Sequence, residues 1–214
     1  MAFKKENSNF EQQKQHLFRY WQKSRMITSK TVLKAFLAVK RELFVDQSYR
    51  DQSYADNPLP ICCEQTISQP TTVMLMLQLL EVVPGQRVLE IGTGSGYNAA
   101  LLAELAGEVV TVERHMKLVK SAQHNLKQAG YEGVIVVKGD GKKGYASHAP
   151  FDRIIVTAAA QKVPQQLKTQ LSVGGLLIAP IGATYRCEMT TFEKISPDNF
   201  RTLNHGLFSF VPLV

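Results

Sequence analysis

The sequence has no hydrophobic run that approaches the roughly 20 apolar residues needed to cross a bilayer. Its first residues, Met1 to Asn9, also lack the apolar core of a signal peptide. Of its 214 residues, 44% are hydrophobic and 20% are charged, as in an ordinary soluble globular protein. We therefore expect a cytoplasmic protein with no membrane partner, long enough to form a domain with a full core.

Cysteine is scarce, with three residues in the whole chain. Cys62 and Cys63 are adjacent and Cys187 is distant, a spacing that matches neither a disulfide framework nor a zinc site. We expect free thiols in a reducing compartment and no bound metal.

Concentrated positive charge is missing as well. The formal net charge is +7, but lysine and arginine are spread from Lys4 to Arg201, with no arginine-rich block and no alternation with aromatic residues. This pattern favours a solvated basic surface over a nucleic-acid site, while leaving open attraction to an acidic polypeptide or to nucleic acid.

What the sequence does contain is a glycine-rich turn between an apolar strand and a helix, within 88–97 (VLEIGTGSGY). Gly92, Gly94 and Gly96 let a ligand approach the main chain at the start of a helix. Their spacing differs from the G-x-G-x-x-G of dinucleotide sites. With Glu90 at the strand end and no lysine in the loop, the turn favours a ligand that carries positive charge and hydroxyls, and S-adenosylmethionine fits.

Two further acidic residues follow the next two predicted strands. Glu113 ends the strand 108–113, roughly 20 residues past the glycines, where an acid accepts hydrogen bonds from ribose hydroxyls. Asp140 follows the strand 133–138 and is placed to accept from an adenine amino group, with Gly141 leaving room for the ring. A single acid of this kind is more often a turn residue, but three at successive strand ends support a nucleoside site.

Strand and helix patterns alternate along the second part of the chain. They predict strands at 87–91, 109–113, 134–138, 153–156 and 174–180, with helices at 98–105, 116–129 and 164–170. This order specifies a doubly wound, mostly parallel sheet of the α/β, Rossmann-like class. Two antiparallel strands, 186–195 and 201–211, are predicted to complete one edge.

The first part of the chain is predicted to be helical. An amphipathic helix over 9–24 places Phe10, Leu17, Tyr20 and Trp21 near helical spacing, and a second helix begins after Thr28 or Ser29. A third, strongly apolar helix is expected over 71–80. We therefore predict a helical extension with an active-site loop (1–84), packed on a cofactor-binding core (85–214).

The segment Gln65 to Pro70 (QTISQP) closely resembles the active-site segment of the protein-L-isoaspartate O-methyltransferases. Other segments are also similar to that family, and the resemblance covers about residues 17 to 213. These segments are 56–61 (DNPLPI), 88–99, 139–141 (GDG), 149–158 (APFDRIIVTA) and 210–213 (FVPL).

The resemblance implies a class I methyltransferase fold, an active-site position at Ser68, and S-adenosylmethionine as cofactor. The implied cofactor-binding residues are Ile67, Ser68, Glu90, Gly92, Thr93, Gly94, Gly96, Glu113, Arg114, Asp140 and Gly141. The implied reaction methylates the carboxylate of L-isoaspartyl residues in damaged proteins or peptides, the first step of their repair. Such a carboxylate, with a pKa of about 4, is already ionised at neutral pH and needs no general base. His115, His124 and His148 are accordingly expected to be surface or helix residues.

One segment departs from the family pattern. In 61–65 (ICCEQ), Cys62 and Glu64 stand where glycines are usual, which imposes strain if the loop needs positive φ. Glu64 also brings a negative charge close to the expected site of a carboxylate. Two alternatives therefore stay open: a methyltransferase for another acceptor, such as a small carboxylate or RNA, and a catalytically silent cofactor-binding homologue.

Overall fold

The computed structural model describes residues 2–183 and 186–213. The helices are α1 (Ala2–Ser24), α2 (Lys30–Ala38), α3 (Pro70–Leu80), α4 (Tyr97–Leu105), α5 (Met116–Ala129) and α6 (Gln165–Gln170). The strands are β1 (Leu59–Pro60), β2 (Thr66–Ile67), β3 (Arg87–Ile91), β4 (Glu108–Glu113), β5 (Ile135–Lys138), β6 (Phe151–Val156), β7 (Leu171–Ala183), β8 (Arg186–Ser196) and β9 (Asn199–Phe208).

Strands β3 to β9 form one sheet in the order β5-β4-β3-β6-β7-β8-β9 within the described residues. The strands from β5 to β7 are parallel, while β8 and β9 add to the edge as antiparallel strands. This arrangement confirms the predicted doubly wound sheet with an antiparallel C-terminal edge. The strand order reverses beside β3, and ligands of open α/β sheets bind in the crevice at such a point.

The predicted elements of the sheet agree closely with the observed ones. β3 and α5 have the predicted bounds, while β7 is longer than predicted and β9 ends at Phe208 rather than at residue 211. The short antiparallel hairpin of β1 and β2 was not predicted, because two-residue strands have no periodicity to detect.

The predicted N-terminal helices are present, with one correction. Trp21 is fully buried, but Tyr20 is 49% exposed and so lies off the apolar face. Ser29 is the residue that caps α2, since its hydroxyl accepts from the amide of Val32 at 3.4 Å. Helix α3 is largely buried, as expected for an apolar segment without strand alternation.

The helices of the extension and one face of the sheet belong to the same hydrophobic cluster. Its members include Trp21 and Phe36 from the first two helices, Leu77 from α3, and Val88 and Ile155 from central strands. The indole nitrogen of Trp21 also donates to the hydroxyl of Thr71 at 2.7 Å, which links α1 to the start of α3. The helices therefore fix the position of the loop between α2 and α3, which carries the β1–β2 hairpin.

Candidate active site

The glycine-rich turn follows β3 at the point where the strand order reverses. Gly92, Gly94 and Gly96 have φ values of 95°, 55° and 91°, a region that favours glycine. A Cβ on Gly92 would collide with the hydroxyl of Thr157. That hydroxyl donates to the carbonyl of Gly92 at 2.8 Å, so the end of β6 holds the turn in place.

Glu90 lies beneath this turn and is fully buried. Its Oε1 accepts from the side-chain amide of Asn98 at 2.7 Å, and its Oε2 accepts from the hydroxyl of Thr111 at 2.6 Å. Burial raises the pKa of Glu90 to about 7, although both hydrogen bonds act in the opposite direction. The predicted acid is thus held rigidly on the floor of the site.

Glu113 connects the glycine turn to the end of β4. It is buried, its Oε2 accepts from the amide of Gly94 at 3.0 Å, and its Oε1 accepts from the amide of His115 at 2.8 Å. Each carboxylate oxygen has a second lone pair that remains available to a ligand hydroxyl.

A cavity of about 650 Å³, partly open to solvent, lies over the glycine turn, and we call it the turn cavity. It brings together many of the predicted cofactor residues. Its lining includes Ile67, Ser68, Glu90, Gly92, Thr93, Gly94 and Glu113.

A shallower depression continues from the turn cavity along the ends of β3 and β4. Its lining includes Gly92, Glu113, Arg114 and Gly141 from the predicted set, together with His115, which was expected to be a surface or helix residue rather than a catalytic one. A Cβ on Gly141 would collide with Ile91, so this position requires glycine.

The remaining two predicted residues lie nearby but differ in exposure. Gly96 is the N-cap of α4, and a Cβ there would come within 3.2 Å of Leu126 Cγ, so glycine allows α4 and α5 to pack closely beside the turn. Asp140 is exposed, and its Oδ1 accepts from the amide of Lys142 at 2.9 Å, which caps a short 3-10 helix.

A third depression, of about 920 Å³, lies on the other side of Ser68, and we call it the outer groove. It is lined by Pro58, Glu64, Thr66, Ser68, Gln69, Thr72, Thr157, Ser209, Phe210, Val211 and Pro212. Four of these residues, Thr66, Ser68, Thr157 and Val211, also line the turn cavity. The two spaces therefore meet at Ser68.

The main chain of Ser68 is hydrogen-bonded by a buried residue that was not predicted from the sequence. Arg41 is fully buried, and its Nη2 donates to the carbonyl of Ser68 at 2.9 Å while its Nε donates to the carbonyl of Ser53 at 2.7 Å. Its guanidinium lies 4.8 Å from the ring centre of Tyr97, which lines the turn cavity. Ser68 itself does not cap α3, because the N-cap position is Gln69.

The loop that departs from the family pattern is a tight turn at the tip of the β1–β2 hairpin. Cys63 and Glu64 have φ values of 61° and 58°, and the amide of Gln65 donates to the carbonyl of Cys62 at 3.4 Å. Two central residues with positive φ define a type I′ turn, which favours Asn-Gly. Backbone strain from positive φ was expected at Cys62 and Glu64. The structure shows it at Glu64 as expected, but at Cys63 rather than at Cys62.

Several lining residues had no individual sequence prediction. Tyr97 and Asn98 lie directly after the glycine turn, and both Thr157 and Val211 come from segments that resemble the family. Those separate segments meet at one site. The resemblance of 149–158 and 210–213 to the family was therefore the sequence feature from which Thr157 and Val211 could have been predicted.

The strand order, the glycine turn at the reversal point and the acids at successive strand ends define a Rossmann-like fold of the class I methyltransferase type. A family model described as protein-L-isoaspartate(D-aspartate) O-methyltransferase (PCMT) matches residues 12–214. The chain belongs to this family.

Individual relatives support the same assignment. A protein-L-isoaspartate O-methyltransferase of Methanopyrus kandleri is 46% identical over 192 residues, which cover 88% of this chain and 85% of the relative. A solved structure of a protein-L-isoaspartate O-methyltransferase is 34% identical with a TM-score of 0.84, covering 93% of this chain and 65% of that one. A PCMT from Plasmodium falciparum, solved in complex with S-adenosyl-L-homocysteine, shares the fold at 24% identity and a TM-score of 0.83, covering 93% and 97% of the two chains.

The described part of the chain has neither a membrane-spanning helix nor a cluster of metal-binding side chains. No helix in residues 2–183 and 186–213 is long and apolar enough to cross a membrane. The same residues contain no group of three or more histidine, cysteine, aspartate or glutamate side chains that could hold a metal ion.

Proposed function

We infer that this chain is an S-adenosylmethionine-dependent methyltransferase that acts on the carboxylate of L-isoaspartyl residues in damaged proteins or peptides. Family membership over residues 12–214 supports the reaction. The observation that carries the inference is the meeting of the turn cavity with the outer groove at Ser68, because methyl transfer requires donor and acceptor to share one boundary.

The residues present fit the cofactor. Gly92, Gly94 and Glu113 line the turn cavity, and Glu113 keeps lone pairs free beside the turn. We propose that Ile67, Ser68, Glu90, Gly92, Thr93, Gly94, Gly96, Glu113, Arg114, Asp140 and Gly141 hold S-adenosylmethionine. When bound, the cofactor supplies a methyl group activated by its positively charged sulfur.

Ser68 is proposed to position the acceptor carboxylate from the outer groove. Its hydroxyl can donate one hydrogen bond, and Arg41 fixes the main chain at this residue. The acceptor oxygen is ionised at neutral pH, so the protein has to orient it and exclude water rather than remove a proton. Favourable alignment contributes about 7 to 11 kcal/mol to such a reaction. The methyl ester product then closes to a succinimide, whose hydrolysis returns part of the material to a normal aspartyl linkage.

We also propose a division of labour along the chain. The extension (1–84) carries the acceptor-side residues Glu64, Thr66, Ser68 and Thr72, while the core (85–214) supplies the glycine turn and the acids. The shared hydrophobic cluster supports an arrangement in which the two parts act as one body. Partners of this enzyme are proposed to be damaged proteins or peptides, and the three free cysteines favour a reducing, cytoplasmic location.

The deciding experiment is a methyl-transfer assay with radiolabelled donor and paired peptides that differ only in an aspartyl or an isoaspartyl linkage. Incorporation into the isoaspartyl peptide alone is expected. Cofactor binding without transfer to this peptide would contradict the proposal, and activity gained only after glycine is restored at both Cys62 and Glu64 would favour the silent homologue. Transfer to RNA or to a small carboxylate instead would identify another acceptor class.

A further inference from the structure

The tip of the β1–β2 hairpin carries two adjacent thiols that the methyl-transfer reaction does not use. Cys62 is exposed and Cys63 is partly buried, and their sulfur atoms lie 3.5 Å apart. Both side chains therefore face the same way, although adjacent residues in an extended strand would point to opposite sides. The positive φ of Cys63 and Glu64 produces this arrangement.

A direct disulfide between these two residues is strained. Adjacent Cα atoms are about 3.8 Å apart across a trans peptide, below the usual disulfide range of about 4.4 to 6.8 Å. An atom that bridges the two sulfurs needs no such approach. With bonds of about 2.3 Å to each sulfur, as in zinc thiolates, a sulfur separation of 3.5 Å corresponds to an angle of roughly 100° at the bridging atom.

The angle of roughly 100° between the two bonds to sulfur favours some thiol-binding elements over others. A linear two-coordinate cation would need the sulfurs roughly 4.6 Å apart by the same bond length. A tetrahedral zinc ion would need further ligands, and among residues 2–183 and 186–213 no group of three suitable side chains is present. Trivalent arsenic, which is pyramidal and satisfied by two thiols and one carbon, matches both the angle and the number of protein ligands.

We propose that Cys62 and Cys63 form a chelating dithiol site for trivalent organic arsenic. An arsenoxide, R–As=O, forms two As–S bonds there while the two S–H bonds break. The two protons leave with the oxo oxygen as one water molecule. Arsenic stays trivalent throughout, so the reaction needs neither an oxidant nor a reductant.

The protonation of the pair is compatible with this condensation. Partial removal from water and the hydrogen bond with Cys63 raise the pKa of Cys62, which favours the neutral thiol. Cys187 provides an internal comparison, because it is buried and its sulfur donates to the carbonyl of Phe208 at 3.1 Å. It has no second thiol beside it among the described residues.

The proposal is tested on the full chain with phenylarsine oxide as the probe, in buffer free of other thiols. Intact mass and titration of thiols after denaturation should show one phenylarsenic unit per chain and the loss of two of the three free thiols. Added ethanedithiol should restore both. Uptake of no arsenic, or of arsenic with the loss of a single thiol, would overturn the proposal.

Single substitutions then locate the site. Cys62→Ser and Cys63→Ser should each weaken binding by about 100-fold or more, since chelation depends on the high effective concentration of the second thiol. Cys187→Ser, the matched control, should bind as the unchanged chain does. Undiminished affinity in either of the first two variants, or its loss in the third, would contradict the assignment. Cys62→Ala and Cys63→Ala, with thermal unfolding, separate loss of the thiol from loss of the fold.

Discussion

Arg41 holds Ser68 from inside the protein, with 2.9 Å between Nη2 and the Ser68 carbonyl oxygen. The same guanidinium reaches the carbonyl of Ser53 and lies against Tyr97, while its Nη1 has no hydrogen-bond partner in the described part of the chain. A buried cation thus fixes the main chain at the boundary of the turn cavity and the outer groove. This relationship makes the position of Ser68 depend on a residue 27 positions earlier.

Arg41→Lys should lower methyl transfer by releasing the main chain at Ser68, because lysine cannot donate in two directions from a planar group. The free energy of unfolding should fall by about 1.5 to 3 kcal/mol. Arg153→Lys is the matched control, since Arg153 also donates to a carbonyl, that of Glu81. Steady-state kinetics and chemical unfolding measure both effects, and transfer that falls equally in the two variants would argue against a specific role.

Ser68→Ala should reduce methyl transfer by roughly 10- to 150-fold, the equivalent of one hydrogen bond to a charged group. Cofactor affinity should change much less, because the other ten proposed cofactor-binding residues are unchanged. Ser24→Ala removes a hydroxyl that donates to the carbonyl of Tyr20 and serves as control. Equal loss of transfer and of cofactor binding in Ser68→Ala would contradict the proposed role.

Asp140→Ala should act in the opposite order and weaken cofactor binding first, by roughly 10- to 150-fold if the carboxylate accepts from the cofactor. Asp46→Ala is a close control, since Asp46 likewise caps a 3-10 helix and accepts from the amide of Ser48 at 3.0 Å. Calorimetric titration with S-adenosylhomocysteine separates them. If both variants lose affinity to the same extent, the effect is the loss of a cap rather than of a ligand contact.

Glu64→Gly should raise the free energy of unfolding by about 1 kcal/mol, because glycine adopts the positive φ at this position without the cost that a Cβ imposes. Glu132→Gly is the control, at an exposed glutamate whose φ is not positive, and should not be stabilising. Urea titration monitored by circular dichroism measures both changes. If Glu64→Gly is less stable than the unchanged chain, contacts of the Glu64 side chain stabilise the fold by more than the positive φ destabilises it.

Glu90 makes stability depend on pH in a defined direction. Its pKa is about 7 in the folded chain and 4.5 for the ordinary side chain, so the folded state holds this proton more tightly. The free energy of unfolding should therefore decrease as pH rises from about 4.5 to about 7, by on the order of 3 kcal/mol. Glu90→Gln should remove this decrease, whereas the exposed Glu104→Gln should retain it. An unchanged pH profile in Glu90→Gln would contradict the assignment.

The core of the fold was predictable because its elements have strong periodicity. The β3 strand, the glycine turn and α5 each combine an apolar pattern with a clear end signal. The β1–β2 hairpin was not predictable, because its strands are too short for periodicity and its turn lacks the usual Asn-Gly. Tyr20 was wrongly assigned to the apolar face of α1, because it lies next to the buried Trp21 in the sequence. Only the packing of the folded chain shows which of the two is buried.

The site was predicted in part for a similar reason. Glycines and acids at strand ends are visible in the sequence, and the structure places Glu90, Gly92 and Glu113 around one cavity. Arg41 and Val211 are far from this turn in sequence and reach the region only through folding. Which oxygen Glu113 offers to a ligand likewise depends on which backbone amides it already binds.

The packing of α2 and α3 into one cluster with the sheet limits how the site can move. The β1–β2 hairpin lies in the segment between these two helices and is followed almost directly by α3, most of which is buried. Because this cluster joins the helices to the sheet, slow hinge motion between separate domains is not expected, and motion beside the outer groove should be local motion of the hairpin tip, on the nanosecond to microsecond scale. The turn that carries the two thiols also contributes Glu64 to the lining of the outer groove, so local motion of this turn would reshape the groove beside Ser68.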